Sequence, residues 1–292
     1  MFEGVHTALV TPFSGGTLDE SAFRALIDDQ FAGGVSGVVP VGTTGESPTL
    51  THAEHERVIA LAVEHTNKRG LVIAGTGSNA TAEAIQLTQS AEAAGADASL
   101  QVCPYYNKPS QEGLFQHFKA VADATKIPII LYSIPGRCGI EISVETTAEL
   151  AKSCPNVIAM KEAGGTPERV SQLVDQTPAN FEVLSGDDSM TLPFISVGAI
   201  GVISVASNLL PKVMVDLVAS ANRGDLNEAR EIHQKYYPLF SSFLKLDTNP
   251  VPIKTALTLK GKIQEEYKLP MIPMSAAKKQ ILRETLTSLG VL

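Results

Sequence analysis

Eight short apolar runs, each followed by a helix-like segment or a turn, restrict this chain to very few architectures. They extend from Val5 to Val10, Gly37 to Val41, Leu71 to Ala74, Ala98 to Val102, Pro128 to Tyr132, Val157 to Lys161, Phe181 to Leu184 and Ile200 to Val205. Their hydrophobicity is continuous rather than alternating, as a strand covered on both faces requires, and such strands build parallel sheets. The intervening segments have helical spacing, with Leu114, Phe115, Phe118, Val121 and Ala122 on one face. Thr81 with Glu83 nearby, and the Thr166-Pro167 pair, are helix-start signals. Eight βα units within the first 205 residues point to an α/β chain, a (β/α)8 TIM barrel, in preference to a doubly wound sheet.

From about Pro211 the strand runs stop and three or four helical segments follow, among them Asp225 to Leu239 and Ser275 to Leu289, with Gly261 and Gly290 as stops. The expected division is a catalytic barrel over residues 1–224 and a small C-terminal helical domain over 225–292. No internal repeat or low-complexity linker interrupts the chain.

The bulk properties exclude several partners. The formal net charge of −8, without a block of like charge, disfavours nucleic acid and anionic membrane. The longest apolar stretch, Pro193 to Leu210, is broken by serines, glycines and Asn208, so it does not read as a membrane span. The N-terminus lacks the basic region of a signal peptide, its first Lys or Arg being Arg24. Three cysteines, Cys103, Cys138 and Cys154, with no C-x-x-C spacing, suit a reducing cytoplasm.

Lys161 ends the sixth run. An ammonium at the inner end of a buried strand is penalised by desolvation and driven toward the neutral amine, a nucleophile able to condense with a carbonyl. The alternative is a lysine whose long stem carries its charge out to water. Other unusual residues fall at the same ends of the runs. Gly42-Thr43-Thr44-Gly45-Glu46 follows the second, Pro104-Tyr105-Tyr106-Asn107 the fourth, Ser133 to Arg137 the fifth and Ser185-Gly186-Asp187-Asp188 the seventh. Singly these read as tight turns, packed tyrosines and a surface arginine. Jointly they put a nucleophile, phenols, an anion-binding loop and an arginine on one rim.

Two motifs are set aside. Residues 75–80, GTGSNA, imitate a dinucleotide fingerprint, but the repeated βα rhythm calls for such turns without any nucleotide. His52 and His55 lack the spacing of zinc peptidases and read as a solvated helix start, so no metal is expected.

With these residues assembled, the chain resembles the dihydrodipicolinate synthase family of pyruvate-dependent class I aldolases, whose superfamily includes N-acetylneuraminate lyase. The likeness covers essentially the whole chain: residues 8–13, GTTGES at 42–47, AGTGSNAT at 74–81, PYYNKPSQEGLFQHF at 104–118, the Tyr132 and Lys161 segments, LSGDD at 184–188 and NPVPIK at 249–254. The resemblance implies that Lys161 forms a Schiff base with pyruvate, that Thr43 and Thr44 bind the pyruvate carboxylate, and that Tyr132 is the general acid/base. It further implies that Tyr106 reaches into a neighbouring subunit to complete a Thr44, Tyr106 and Tyr132 proton relay, with Gly186 and Ile203 giving backbone contacts. A homotetramer, a dimer of dimers, follows from the same likeness, and no cofactor is needed.

Arg137 suits the carboxylate of L-aspartate 4-semialdehyde, since a guanidinium can grip it bidentately. Sugar-acid lyases of the superfamily usually lack that arginine and more often carry Gly-Ser-Thr-Gly-Glu at the second strand, so the synthase reading leads and a sugar-acid or other keto-acid aldolase is the alternative. Ser133, Gly136 and Cys138 depart from the common pattern around the arginine. The implied role is synthesis of diaminopimelate and lysine. Resemblance to lysine-inhibited members also marks Ser47, His52, His55, Asn79, Glu83 and Tyr105 as a regulatory L-lysine pocket at a subunit interface, with Pro48 where alanine is frequent. A noncatalytic sensor on the same barrel would have lost the lysine or a relay hydroxyl, and both are present.

Overall fold

The computed structural model describes all 292 residues. Eight parallel strands close on themselves: β1 (Gly4–Ala8), β2 (Gly37–Val39), β3 (Leu71–Gly75), β4 (Ala98–Val102), β5 (Ile129–Ser133), β6 (Val157–Glu162), β7 (Glu182–Ser185) and β8 (Gly201–Ser204). Each pairs with its sequence neighbour, and β1 with β8 completes the ring. Around them run α1 (Glu20–Ala32), α2 (His52–Thr66), α3 (Thr81–Ala94), α4 (Gln111–Asp123), α5 (Val144–Ser153), α6 (Pro167–Gln176), α7 (Thr191–Ile195) and α8 (Pro211–Asn222). The (β/α)8 barrel expected from the runs is the fold observed. Three more helices, α9 (Leu226–Lys245), α10 (Val251–Leu259) and α11 (Ala276–Ser288), follow it.

Helix starts carry local signals. Asp19, Ser110 and Ser143 each accept a bond from an amide of the first turn, and Thr51 with Glu54 forms a full capping box on α2, a cap worth about 1 kcal/mol. Pro167 opens α6 as its sequence position suggests. Gly261 and Gly290 follow α10 and α11 at φ of +70° and +68°, the left-handed stop that glycine adopts without cost.

The ends of several elements differ from the sequence expectation. Strand β2 stops at Val39 because Val41 turns to a φ of 49°, which no strand accommodates. Strand β1 ends at Ala8, and the amide of Val10 is taken up by Asn208 Oδ1 at 3.1 Å. Helix α9 runs past Leu239, through Pro238, to Lys245, because Phe240 and Phe243 are fully buried and hold its last turns to the core. Thr81 begins α3 but does not cap it; its hydroxyl meets His117 Nδ1 at 2.9 Å.

One buried cluster draws a residue from every strand, including Ala8, Val39, Ile73, Leu100, Ile130, Ala159, Leu184 and Ile203, and fills the barrel. Side chains alternate across a strand. Tyr132 and Lys161, two residues beyond Ile130 and Ala159, therefore continue the inward face to the C-terminal rim. The largest cluster joins α8 to α11 against β1, β8 and α1, fastening the C-terminal helices to the barrel. No helix is long and apolar enough to cross a membrane.

Candidate active site

Lys161 lies at the inner rim with 6% of its surface exposed. It does not reach solvent along its stem. Burial pushes its amine down to about 7; the negative charge of Asp188 opposes the shift and Arg137 adds to it. At neutral pH a substantial fraction of the side chain is therefore a free amine. Its Nζ stands 4.1 Å from the centre of the Tyr132 ring. Burial pushes the Tyr132 phenol up to about 12, against the opposing pull of Arg137 and the Thr43 hydroxyl, so the phenol keeps its proton as a donor.

A cavity opens at this rim, lined among others by Gly42, Thr43, Tyr132, Ile134, Arg137 and Cys138. Thr43 and Thr44 lie on a single 3-10 turn, Thr43–Gly45, at the end of β2. A Cβ at Gly75 would meet Val41 O at 2.6 Å, so the turn after β2 packs directly on the backbone of β3. Gly186 is also closely enclosed: a Cβ there would lie 2.8 Å from Ala163 Cβ and 3.1 Å from Lys161 Cε. Ile203 is buried in the barrel-filling cluster with Tyr132.

Tyr106 does not join this group within one chain. It is 88% exposed, has a φ of +72° and does not line the cavity. Thr44 is buried, and its Oγ1 accepts a 3.0 Å bond from Asn249 Nδ2.

The second residue set gathers beside the same cavity. Ser47, Pro48 and Tyr105 line it. His52 Nε2 meets Glu83 Oε1 at 2.7 Å, and Ser78 donates its hydroxyl to the other Glu83 oxygen. These two partners hold the Glu83 carboxyl below its ordinary range. Asn79 donates to Tyr105 O at 3.2 Å. Burial, with the Glu83 charge, pushes the Tyr105 phenol up. His55 is turned inward, its Nε2 at 2.9 Å from Gly75 O.

Four residues near the rim escaped the sequence reading of roles. Asp188 is buried, accepts amides of Val205 and Ala206 at 3.1 and 2.8 Å, and is pushed up to about 6 by burial. Asn249 reaches in from the C-terminal segment to Thr44, and its carbonyl accepts Arg137 Nη2 at 3.1 Å. Lys254 is wholly buried against Glu46. The available signal was NPVPIK at 249–254, which contains the only charged residue of helix α10.

A closed (β/α)8 barrel with a desolvated lysine against a phenol at its C-terminal rim is the build of a barrel lyase that works on carbonyl carbon. The chain belongs to the dihydrodipicolinate synthetase family, whose sequence pattern it matches over residues 1–289. It is 52% identical over 287 residues to a 4-hydroxy-tetrahydrodipicolinate synthase of Sulfurihydrogenibium, covering 98% of each chain. The 4-hydroxy-tetrahydrodipicolinate synthase structure of Methylacidiphilum fumariolicum superposes with a TM-score of 0.98 at 49% identity, over 99% of this chain and 96% of that one. A dihydrodipicolinate synthase of Acinetobacter baumannii, complexed with pyruvate, gives 0.97 at 40% identity over all of both chains. One from Cyanidioschyzon merolae with lysine bound gives 0.95 at 39% identity, over 100% of this chain and 99% of that one.

Proposed function

We infer that the protein is a lyase performing the 4-hydroxy-tetrahydrodipicolinate synthase reaction, the condensation of pyruvate with L-aspartate 4-semialdehyde on the diaminopimelate route to L-lysine. The observation that carries this reading is the desolvated Lys161 amine packed 4.1 Å over the Tyr132 ring.

In the proposed sequence the neutral Lys161 amine attacks the ketone carbon of pyruvate, and water leaves to give the imine. The positive imine nitrogen draws electrons from the methyl group, which loses a proton to become an enamine. The enamine carbon attacks the aldehyde carbon of the second substrate, whose oxygen takes a proton from the Tyr132 phenol. Attack of that substrate's own amine on the imine carbon closes the ring and expels Lys161. The amides and hydroxyls of Thr43 and Thr44 suit the pyruvate carboxylate, and Arg137 suits the carboxylate of the aldehyde substrate. Gly186 and Ile203 bound the space beside the lysine.

Tyr106, exposed on its loop, is in this proposal the phenol that a second copy donates to the Thr44 and Tyr132 relay, within a dimer-of-dimers tetramer. The His52, Glu83, Ser78 and Tyr105 cluster, with Ser47, His55 and Asn79, is the proposed pocket for inhibitory L-lysine, Glu83 pairing with an amino group. Residues 1–224 carry the chemistry and residues 225–292 brace it. Three buried free thiols suit a reducing compartment, and the cytoplasm is the proposed location.

The test is borohydride reduction in the presence of pyruvate, followed by peptide mapping. The expected adduct sits on Lys161; an adduct elsewhere, or none, rejects the mechanism. Turnover of aspartate semialdehyde compared with a sugar acid such as sialic acid separates this branch from its sugar-acid relatives.

A further inference from the structure

The turn bearing Thr43 and Thr44 closes its own backbone hydrogen bonds and is also held by side chains from outside it. Glu46, the next residue but one after Thr44, is held at a φ of 57°, in the left-handed region that costs a non-glycine residue about 1–3 kcal/mol. Its carboxylate is buried. One oxygen receives Lys254 Nζ at 2.5 Å and the other the amide of Lys268 at 3.1 Å. Lys254 is itself fully enclosed, over the rings of Phe13 at 4.4 Å and Tyr267 at 4.8 Å, and gives a second bond to Thr11 O at 3.0 Å. The Thr11 hydroxyl in turn holds Gly45 O at 2.7 Å. Thr44, Gly45 and Glu46 are thus each fastened by a separate side chain, and Asn249, Lys254 and Lys268 all come from the segment that follows the barrel.

A buried ion pair is expensive to desolvate and is weak evidence of stabilisation by itself. Two fully enclosed opposite charges, 208 residues apart in sequence, converging on a strained residue beside the carboxylate-binding turn call for a reason other than stability.

We infer that Glu46 and Lys254 are positioning residues. The pair fixes the Thr43–Gly45 turn so that its amides and hydroxyls face the keto acid, and through it the C-terminal helices set the affinity for the first substrate. Neither side chain touches substrate. This inference rests on the assignment of Thr43 and Thr44 to the pyruvate carboxylate.

The test compares wild type with E46Q/K254M, which removes both charges at once and leaves no unpaired ion, and with Glu46→Asp, which keeps both charges but draws the carboxylate back by one methylene. Thermal melts establish that each variant is folded. Misplacing a binding group by about 1 Å costs up to about a hundredfold. The expected result is a KM for pyruvate raised about tenfold or more in E46Q/K254M and severalfold in Glu46→Asp, with a matching rise in the pyruvate concentration needed for borohydride trapping. A merely structural pair would lower the active fraction, reducing kcat and leaving KM where it was. Folded variants with an unchanged KM for pyruvate overturn the inference. Absence of trapping in the wild type would instead overturn the reading of the site itself, so the two failures are distinct.

Discussion

Lys161 and Tyr132 are register partners on adjacent strands, and the lysine Nζ lies 4.1 Å above the phenol ring. Parallel pairing of β5 with β6 brings the two Cα positions side by side, and the inward pleat at both positions aims the side chains into the barrel. Their ionisation moves in opposite directions for one cause. Burial penalises the charged form of each, so the amine falls to about 7 and the phenol rises to about 12. A nucleophile free of its proton and a donor that retains one are thereby available at the same pH.

The pH profile follows from that pair. The ascending limb of kcat/KM is expected near pH 7, because below it Lys161 is protonated and each pH unit costs about tenfold. Asp188→Asn removes a negative charge that favours the ammonium and moves the limb to lower pH. Arg137→Ala removes a positive charge that opposes it and moves the limb to higher pH. Initial-rate profiles of the three proteins check both directions, and shifts of equal sign would refute the electrostatic account.

Lys161→Met should abolish trapping and lower turnover by at least about a thousandfold, yet make the fold more stable. The native amine titrates near 7 and the unfolded one near 10.5. The unfolded chain therefore binds more protons between those values, and the cost to stability grows as pH falls through that window and is complete below 7. Denaturant titration at pH 7 should give a gain of about 4 kcal/mol, and a gain that vanishes above about pH 10.5.

Tyr132→Phe keeps the ring under Lys161 and deletes the proton donor. A kcat loss of about 10²–10⁴-fold is expected, with pyruvate still trapped on Lys161 under prolonged reduction. Retention of wild-type kcat would remove the phenol from the mechanism.

Glu83→Ala should release the pocket that holds His52 and Ser78. Calorimetry with L-lysine is expected to detect binding to the wild type that falls by about tenfold or more in the variant, while uninhibited turnover is preserved. No loss of wild-type activity up to millimolar lysine would reject the regulatory site.

Acid should unfold the chain through its floor. His6 is fully buried at the lower end of the barrel, and burial pushes its imidazole down to about 4, with a backbone bond to Phe2 O opposing. A depressed native value means that the unfolded chain takes the proton first. Stability should therefore fall by about 3 kcal/mol between pH 6.5 and 4 from this group. His6→Gln should flatten that part of the stability curve, as urea midpoints across the range will show.

The eight apolar runs, the helix starts at Thr81 and Pro167 and the glycine stops at 261 and 290 are local signals, and the (β/α)8 barrel was legible from them. So were the identities of the residues at the strand ends, because reactive groups interrupt apolar runs visibly. Strand limits were less legible: β2 ends early because Val41 takes a positive φ, a choice imposed by the turn and by close contact with Gly75, not by the preference of valine.

What the sequence by itself determined is the periodicity, hence the barrel, and the set of chemical groups on its rim. The tertiary structure alone decided whether Lys161 reaches water or is desolvated, because burial depends on every strand that encloses the position. It also decided which distant residues complete the site. Asn249 on Thr44 and Lys254 on Glu46 are contacts across more than 200 positions, and no local pattern encodes a partner at that separation. Hydrophobic period is a property of neighbouring residues; desolvation and long-range hydrogen bonding are properties of the closed space they create.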